Sequence, residues 1–178
     1  MGRIPKRELQ ELFRLADKTR SNQRRGSLLE RAIRLLFETI AGVEVAEHNV
    51  RHASNTEEVD IIFWNERRTK GLYFLEAPFL VECKNWGTKV PGKEIVYFAN
   101  TMRGRCCRDG ILIASHGVTG DPGKLTEAHY EISVAARAGQ RILVLTRNEI
   151  ELLETSKRLI ALLKTKILEV TVKGTKTT

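Results

Sequence analysis

Residues 79–84 read FLVECK, a short apolar run that ends in an acid and a lysine separated by one residue. The apolar residues Phe79 to Val81 predict a buried strand. Successive side chains of a strand alternate between the two faces of a sheet, so Glu82 and Lys84 point to the same face. Charged side chains are rare at buried positions unless they are paired or functional. The segment therefore predicts a functional charge pair on a core strand, with an ordinary solvent-facing ion pair as the alternative.

A second apolar strand, VDIIFW at residues 59–64, precedes the first and carries Asp60. If the two strands are neighbours, two carboxylates and one ammonium converge: Asp60, Glu82 and Lys84. Metal-assisted hydrolysis of a phosphodiester requires oxygen ligands for a hard cation beside a positive charge for the phosphate. Asp60 is the preferred acid because the apolar strand begins around it. The alternatives are the nearby acids Glu57, Glu58 and Glu76.

The composition is that of one folded domain without a membrane segment. The chain has 178 residues, of which 42% are hydrophobic and 29% are charged, as in ordinary globular domains. No apolar run approaches the roughly 18 residues of a membrane span, and the basic N-terminus lacks the apolar stretch of a signal peptide. The three cysteines form neither a disulfide framework nor a CxxC metal motif. We therefore expect an intracellular, cytoplasmic protein.

The net charge of +8 is concentrated at the two ends of the chain. Residues 1–27 contain eight Lys and Arg against three acids, and residues 157–178 contain six against one. The remaining residues together carry a charge of −2. This distribution suits a protein that binds a polyanion at its edges and holds cations at its centre. The alternative is that the charged ends are merely solvated.

The hydrophobic pattern predicts an α/β order of elements. A helix, three or four strands and a second helix are followed by strand, helix, strand and helix. Ser27 and Asn148 are the predicted N-caps of two helices. The predicted strands are 43–51, 58–65, 71–75, 79–84, 110–115 and 141–146, and the predicted helices are 3–18, 27–40, a segment after Pro91, 125–138 and 148–163. We expect a basic helical extension over 1–23, the main domain over 24–165 and a basic tail over 166–178.

This order, with an acid in the first helix, an aspartate on one strand and Glu-x-Lys on the next, resembles the PD-(D/E)xK nuclease superfamily. Within it, residues 24–146 look closest to the Mrr-like branch of the type IV restriction endonucleases, with the archaeal Holliday junction resolvases as relatives. The resemblance implies a restriction-endonuclease-like fold, in which a mixed central sheet is flanked by helices in three layers.

The resemblance also implies a role for each residue of the candidate site. Asp60 and Glu82 correspond to ligands of Mg²⁺ or Mn²⁺, and the backbone carbonyl of Cys83 to a further ligand. Lys84 corresponds to the lysine that positions the attacking water and steadies the phosphate. Glu30 matches the acid that this branch carries on its first helix, where it binds a second metal, orients a water or pairs with Lys84. A plain surface glutamate is the alternative for Glu30.

The implied activity is that of a magnesium-dependent DNA endonuclease. The alternatives are a resolvase of Holliday junctions or other branched DNA, and a subunit that binds nucleic acid without cutting it. Family members often act as homodimers, and the apolar faces of the terminal helices are candidate interfaces. Trp86 either packs at its strand end or touches the DNA backbone. The predicted DNA contacts are Arg24, Arg25, Asn85, Lys89 and Lys93.

The glycine-rich segment GVTGDPGK at residues 117–124 lies between a predicted strand and a predicted helix, as a phosphate-binding P-loop does. Its first glycine is one residue too far from the Gly-Lys pair, and Leu125 stands where a Ser or Thr would bind Mg²⁺. Pro122 also removes one amide donor from the loop. We therefore expect no nucleotide cofactor.

Overall fold

The computed structural model describes residues 2–51 and 58–172, with only the backbone of residue 51. Helices and strands follow one another in an order close to the one that the hydrophobic pattern predicts. The helices are α1 (Lys6–Lys18), α2 (Asn22–Phe37), α3 (Gly92–Gly104), α4 (Glu127–Arg137), α5 (Arg147–Glu151) and α6 (Ser156–Val172). The strands are β1 (Val43–Arg51), β2 (Glu58–Asn65), β3 (Phe79–Lys84), β4 (Asp109–Ala114) and β5 (Arg141–Leu145).

One mixed sheet has the strand order β1-β2-β3-β4-β5. The first three strands are antiparallel, and β3, β4 and β5 are parallel. Helices α3 and α4 form the crossovers between the parallel strands, which cannot be joined by tight turns. The predicted α/β class with a mixed central sheet is confirmed.

One face of the sheet packs against α2. Along β2 every second residue is fully buried, including Ile61 and Phe63. Phe63 stacks on Phe79 of β3 with ring centroids 5.3 Å apart, and Phe37 of α2 lies 5.2 Å from the Phe63 ring. Fully buried aromatic rings supply much of the burial energy of a core. This aromatic cluster fixes α2 on the face of β2 and β3 that is opposite to Asp60.

The other face packs against α3, and Gly110 of β4 allows the helix to approach closely. A Cβ atom at Gly110 would lie 2.5 Å from the sulfur of Met102 and 2.8 Å from the Phe98 ring. Gly110 is in register with Leu80 of β3, so both lie on the face under α3. The side chains two and four residues beyond Leu80, those of Glu82 and Lys84, therefore face the N-terminal part of α3.

The second helix begins earlier than its sequence pattern predicts. Ser21 is the N-cap, and its hydroxyl accepts a hydrogen bond of 3.3 Å from the backbone N–H of Arg24. The predicted break over 21–26 and the predicted cap at Ser27 are therefore wrong. The side chains in this first turn are polar or basic, so they show no apolar repeat at helical spacing. Only the cap residue therefore marks the start of the helix.

Residues 71–75 form turns instead of the predicted strand. The buried side chain of Asn65 takes the place of the hydrogen bonds that a neighbouring strand would make. Its amide donates to the carbonyls of Leu72 at 2.8 Å and Leu75 at 3.0 Å. Leu72 and Leu75 themselves are fully buried. The short apolar run from Leu72 to Leu75 imitates a strand, whereas a single side chain satisfies the backbone here.

The predicted helix over 148–163 is two helices, because the N-terminal segment of the chain docks between them. The backbone N–H of Ile4 donates to the Glu154 carbonyl, and that of Ser156 donates to the Gly2 carbonyl. The cap is Thr146 and not Asn148, in a capping box with Glu149. Helix α4 likewise begins at Glu127, two residues after its predicted start.

Helix α1 packs on α2 and buries Leu9, Leu12, Phe13 and Ala16 in the common core. The apolar face of α1 is therefore occupied within the chain, which makes the expectation of a subunit interface there wrong. Helix α6 continues to Val172, past the predicted boundary at residue 165. The boundaries at 23 and 165 stay predictions, and residues 173–178 of the predicted tail lie outside the described residues. No described helix is long and apolar enough to cross a membrane.

Candidate active site

The pairing of β2 with β3 brings the charged residues of the two strands together. Ile62 is in register with Leu80 on the antiparallel neighbour. Asp60, two residues before Ile62, and Glu82, two residues after Leu80, therefore share one face. Asp60 also anchors the strands to each other, because its Oδ2 accepts a hydrogen bond of 2.6 Å from the backbone N–H of Cys83. The structure thus brings Asp60, Glu82 and Lys84 to one place.

Helix α3 completes the cluster with an acid that the sequence analysis missed. The Nζ of Lys84 lies 2.9 Å from Oε1 of Glu82 and 3.3 Å from Oε2 of Glu94. Glu94 stands in the first turn of α3 after Pro91 and Gly92, where acids are common because they favour the helix N-terminus. That local reason gives no sign of a partner, so only the packing of α3 reveals its role.

The cluster lines an open cleft of about 690 Å³ between β2, β3 and α3. Its walls combine acids and lysines with one aromatic side chain, that of Tyr97, which is 42% exposed. Tyr97 was also missed, because a tyrosine one turn along an amphipathic helix has no distinctive sequence signal. The lining residues are Glu58, Asp60, Glu82, Lys84, Lys93, Glu94 and Tyr97.

The two carboxylates are poised to bind a proton or a cation. Burial, reinforced by the nearby carboxylate of Asp60, raises the pKa of Glu82 to about 7, although Lys84 opposes the shift. Burial also raises the pKa of Asp60, against the hydrogen bond from Cys83 and the charge of Lys84. Crowded acids that resist ionisation are typical of functional sites.

Lys84 is held in its charged form. Burial acts to lower the pKa of Lys84, but the carboxylates of Glu82 and Glu94 outweigh burial and raise it. Its amine also lies 5.4 Å from the centroid of the Trp86 ring, a further contact that favours a cation. A charged lysine donates hydrogen bonds and neutralises phosphate but does not accept a proton.

Glu30 lies beside the cluster but does not line the cleft. It stands on α2, which packs on the opposite face of the sheet, and its side chain bonds to that of Asn49 in β1. Burial and the charge of Asp60 raise the pKa of Glu30. The charge of Asp60 therefore reaches Glu30, but the structure does not bring Glu30 to Lys84, whose partners are Glu82 and Glu94.

The acids that were alternatives to Asp60 in the sequence lie in different places. Glu58 lines the cleft next to Asp60, and Glu57 lies outside the described residues. Glu76 is far along the sheet, where its backbone N–H donates to Asp109 at 2.7 Å and its carboxylate lies 3.6 Å from Arg108.

The donor set fits a single Mg²⁺ or Mn²⁺ ion better than a site with many protein ligands. Among residues 2–51 and 58–172, no group of three or more His, Cys, Asp or Glu side chains is arranged to hold a metal. Mg²⁺ typically binds one or two carboxylates and keeps several waters, which Asp60 and Glu82 satisfy. Burial raises the pKa of the Cys83 thiol well above its usual value, so a thiolate ligand is disfavoured. The Cys83 N–H points to Asp60. Because the N–H and C=O of an extended residue point to the same side, the Cys83 carbonyl also faces Asp60.

The predicted DNA contacts surround this strand end but do not all meet. Lys93 lines the cleft, and Lys89 is exposed on the loop before α3. Arg24 is exposed on α2, whereas Arg25 lines a second, smaller cavity together with Asn85 and Trp86. The hydroxyl of Ser115 donates to the Asn85 side-chain oxygen at 2.9 Å, which fixes that amide.

Comparison with known proteins identifies the family at the level of the domain. No curated protein and no solved structure matches the chain. The family model Mrr_cat, described as restriction endonuclease, matches residues 22–150, which include β1 to β5 and every residue of the cleft. The chain therefore belongs to the Mrr_cat restriction endonuclease family.

Proposed function

We propose that the protein is a metal-dependent endonuclease that hydrolyses phosphodiester bonds of DNA in the cleft between β2, β3 and α3. The observation that carries the proposal is the convergence of Asp60 and Glu82 with a lysine held between Glu82 and Glu94. A nuclease of restriction type needs oxygen ligands for a metal and a positive group for the phosphate, and this cleft supplies both.

Each residue of the site has its own proposed role. Asp60, Glu82 and the Cys83 carbonyl would hold Mg²⁺ or Mn²⁺, which supplies Lewis-acid stabilisation of the charge on the phosphate. Lys84, kept charged by its two carboxylate partners, donates hydrogen bonds to a phosphate oxygen and to the attacking water. Glu94 holds the Lys84 amine in place.

DNA is the proposed substrate because the chain carries a net charge of +8. The ends of the chain are basic, and Lys93 lies at the cleft itself. Such charges bind phosphates without reading sequence and make affinity depend on salt. A cytoplasmic location belongs to the same proposal.

Cleavage assays test the proposal directly. Supercoiled plasmid, linear duplex and a four-way junction are incubated with Mg²⁺ or Mn²⁺ and with the variants Asp60→Asn, Glu82→Gln and Lys84→Met. We expect metal-dependent cutting that each variant lowers by at least about 100-fold, as for loss of one electrostatic group in a site. Glu44→Gln, an exposed acid near the other end of the β1–β2 pair, is the control and keeps full activity.

The pattern across substrates separates the alternatives. Preferential cutting of the junction favours a branched-DNA resolvase over a restriction-type enzyme. DNA binding without cleavage by either metal contradicts the proposal and favours a non-catalytic binding subunit.

The proposal includes a homodimer that forms through α6. One cleft cuts one strand at a time, so two chains would cut both strands of a duplex. The exposed apolar residues Leu168 and Val172 on α6 support an interface at that helix. Light scattering measures the mass, and Leu168→Lys with Val172→Lys is expected to convert a dimer to a monomer.

A further inference from the structure

A second cavity lies behind the catalytic strand and is distinct from the acidic cleft. Its volume is about 330 Å³, at the lower end of the range of about 300 to 1,000 Å³ for small-ligand pockets. It lies between the first turn of α2 and the end of β3. Its lining residues are Asn22, Arg25, Gly26, Cys83, Asn85, Trp86 and Gly87.

The lining residues favour a flat, polar-edged ligand over a bare anion. Arg25 is the one charged residue among them, and its guanidinium already donates to the Thr19 carbonyl at 3.3 Å. The remaining side chains offer two amides, a thiol and an indole. Amides form hydrogen bonds with either donors or acceptors, and an indole stacks on any aromatic ring.

Asn85 is held ready for such hydrogen bonds. Ser115 donates to its side-chain oxygen at 2.9 Å, which fixes the amide orientation and directs the NH₂ group away from Ser115. Trp86 is fixed through its backbone, because its carbonyl lies 2.6 Å from Nδ1 of His116. Trp86 as a whole residue is nevertheless 37% exposed, so it is accessible to a ligand.

The cavity is tied to the catalytic site by the alternation of β3. Cys83 lines the cavity, whereas Glu82 and Lys84 on either side of it line the acidic cleft. Trp86 lines the cavity, and the Lys84 amine lies 5.4 Å from the centroid of the Trp86 ring. A ligand on this indole would therefore lie within a nucleotide or two of a phosphate at Lys84.

We propose that this cavity binds an unstacked nucleobase of the DNA substrate, which stacks on Trp86 and forms hydrogen bonds with Asn85, next to the phosphate that is cut. The inference rests on the proposed function and makes it more specific: the preferred substrate carries a base outside the helical stack near the cleavage point. Such a base comes either from a gap in pairing or from extrusion out of an intact duplex.

The test uses 2-aminopurine, whose fluorescence falls when it stacks on an aromatic ring. One DNA carries it as a single unpaired base, and a matched duplex carries it paired with thymine. Binding is measured with Ca²⁺ in place of Mg²⁺, and gels confirm that the strands stay intact. The variants are Trp86→Ala and Trp86→Phe, with Trp64→Ala as the control, because Trp64 is the other exposed tryptophan and stands at the far end of β2.

We expect Trp86→Ala to weaken binding of the unpaired-base DNA by about 10- to 100-fold, as for loss of one base–aromatic stack. Its complex should be brighter than the wild-type complex, and Trp86→Phe should restore quenching. If Trp86→Ala brightens only the complex with the unpaired base, the pocket is assigned to irregular DNA, whereas brightening of the complex with the paired base as well assigns it to extrusion from a duplex.

Equal affinity and brightness for wild type, Trp86→Ala and Trp64→Ala on both DNAs would overturn the inference, as would no binding to either. Cleavage with Mg²⁺ is measured separately. Cutting that persists while Trp86→Ala changes nothing removes the base pocket and leaves the proposed function. Quenching without any cutting retains the pocket and removes the endonuclease.

Discussion

Glu82 is the residue in which stability and function conflict most directly. It is only 7% exposed, it lies near a second carboxylate, and its pKa is raised to about 7. An uncompensated buried carboxylate costs free energy, and Lys84 compensates only part of that cost. A metal ion on Asp60 and Glu82 would relieve the rest, which links folding stability to metal binding.

This link predicts a metal-dependent thermal shift that requires no DNA. Mg²⁺ at ten times its Kd adds about 1.4 kcal/mol to the free energy of unfolding, which raises Tm by about 3 to 6 °C for a chain of this size. Glu82→Gln should remove the shift, and Glu44→Gln should keep it. Differential scanning calorimetry measures both. An equal shift in Glu82→Gln and wild type would contradict the assignment of Glu82 as a ligand.

At the scale of elements, α3 is the helix that converts a pair of strands into a site. Its close packing over Gly110 positions Glu94 against Lys84 at 3.3 Å. The strands supply two acids and a lysine, whereas the helix decides where the lysine points.

Glu94→Gln is therefore expected to act through Lys84. Loss of one charge-assisted hydrogen bond, worth about 1.5 kcal/mol, should lower kcat about tenfold with little change in KM for DNA. The pKa of Lys84 should also fall, because one of the carboxylates that raise it is gone. Glu94→Asp should restore part of kcat. Asn100→Ala, on the exposed side of the same helix, is the control, and a similar loss there would indicate a structural effect.

A second pair of elements, α1 and α5, is joined by Asp17 and Arg147. The guanidinium binds the carboxylate through two contacts of 2.6 and 2.9 Å and lies 4.8 Å from the centroid of the Phe13 ring. The hydrogen bond from Arg147 lowers the pKa of Asp17. The carboxylate is 55% exposed, so screening limits the pair to about 0.5 kcal/mol.

The sign of its pH dependence follows from that lowered pKa. The unfolded chain binds the proton more tightly than the folded chain, so the pair stabilises above the unfolded value of 3.8 and loses its effect as pH falls through the folded pKa. Asp17→Asn should therefore lower stability at pH 6, and by progressively less as the pH falls below 3.8, in urea titrations. Glu11→Gln, which breaks the exposed Glu11–Arg14 pair, should change neither. A pH-independent effect of Asp17→Asn would contradict the ion pair.

At the scale of the whole molecule, one buried ion pair connects three parts of the fold. Asp109 and Arg141 are paired first residues of β4 and β5, joined by contacts of 2.6 and 2.7 Å. Asp109 is fully buried and also accepts the backbone N–H of Glu76, while Arg141 donates to the Phe74 carbonyl. The pair thus holds the long β2–β3 connection against the parallel strands.

Asp109→Ala is expected to lower the free energy of unfolding by about 3 to 5 kcal/mol, because it leaves the Arg141 charge unpaired inside the protein. The double variant Asp109→Leu with Arg141→Met should recover much of that loss, since no unpaired charge remains. Urea unfolding measures both. Glu154→Ala, which removes an exposed pair with Arg158, is the control at less than about 0.5 kcal/mol. If Asp109→Ala lowers the free energy of unfolding by no more than Glu154→Ala does, this role of the ion pair is contradicted.

Local chemistry along the chain accounts for the strands that carry the site and for the sharing of one face by Asp60, Glu82 and Lys84. The alternation of side chains in a strand is a property of the backbone, so the residues of a strand that share one face follow from their spacing alone. The same holds for the α/β class, because hydrophobic period distinguishes strands from helices. The family match at residues 22–150 agrees with that assignment.

Contacts between distant parts of the chain account for the rest. Asn65 turns an apparent strand into a loop, and the N-terminal segment divides one long helix into two. Glu94 meets Lys84, and Trp86 borders a cavity, only because α3 and α2 pack on opposite faces of β3. These features depend on which surfaces meet, and spacing along the chain carries no information about such meetings.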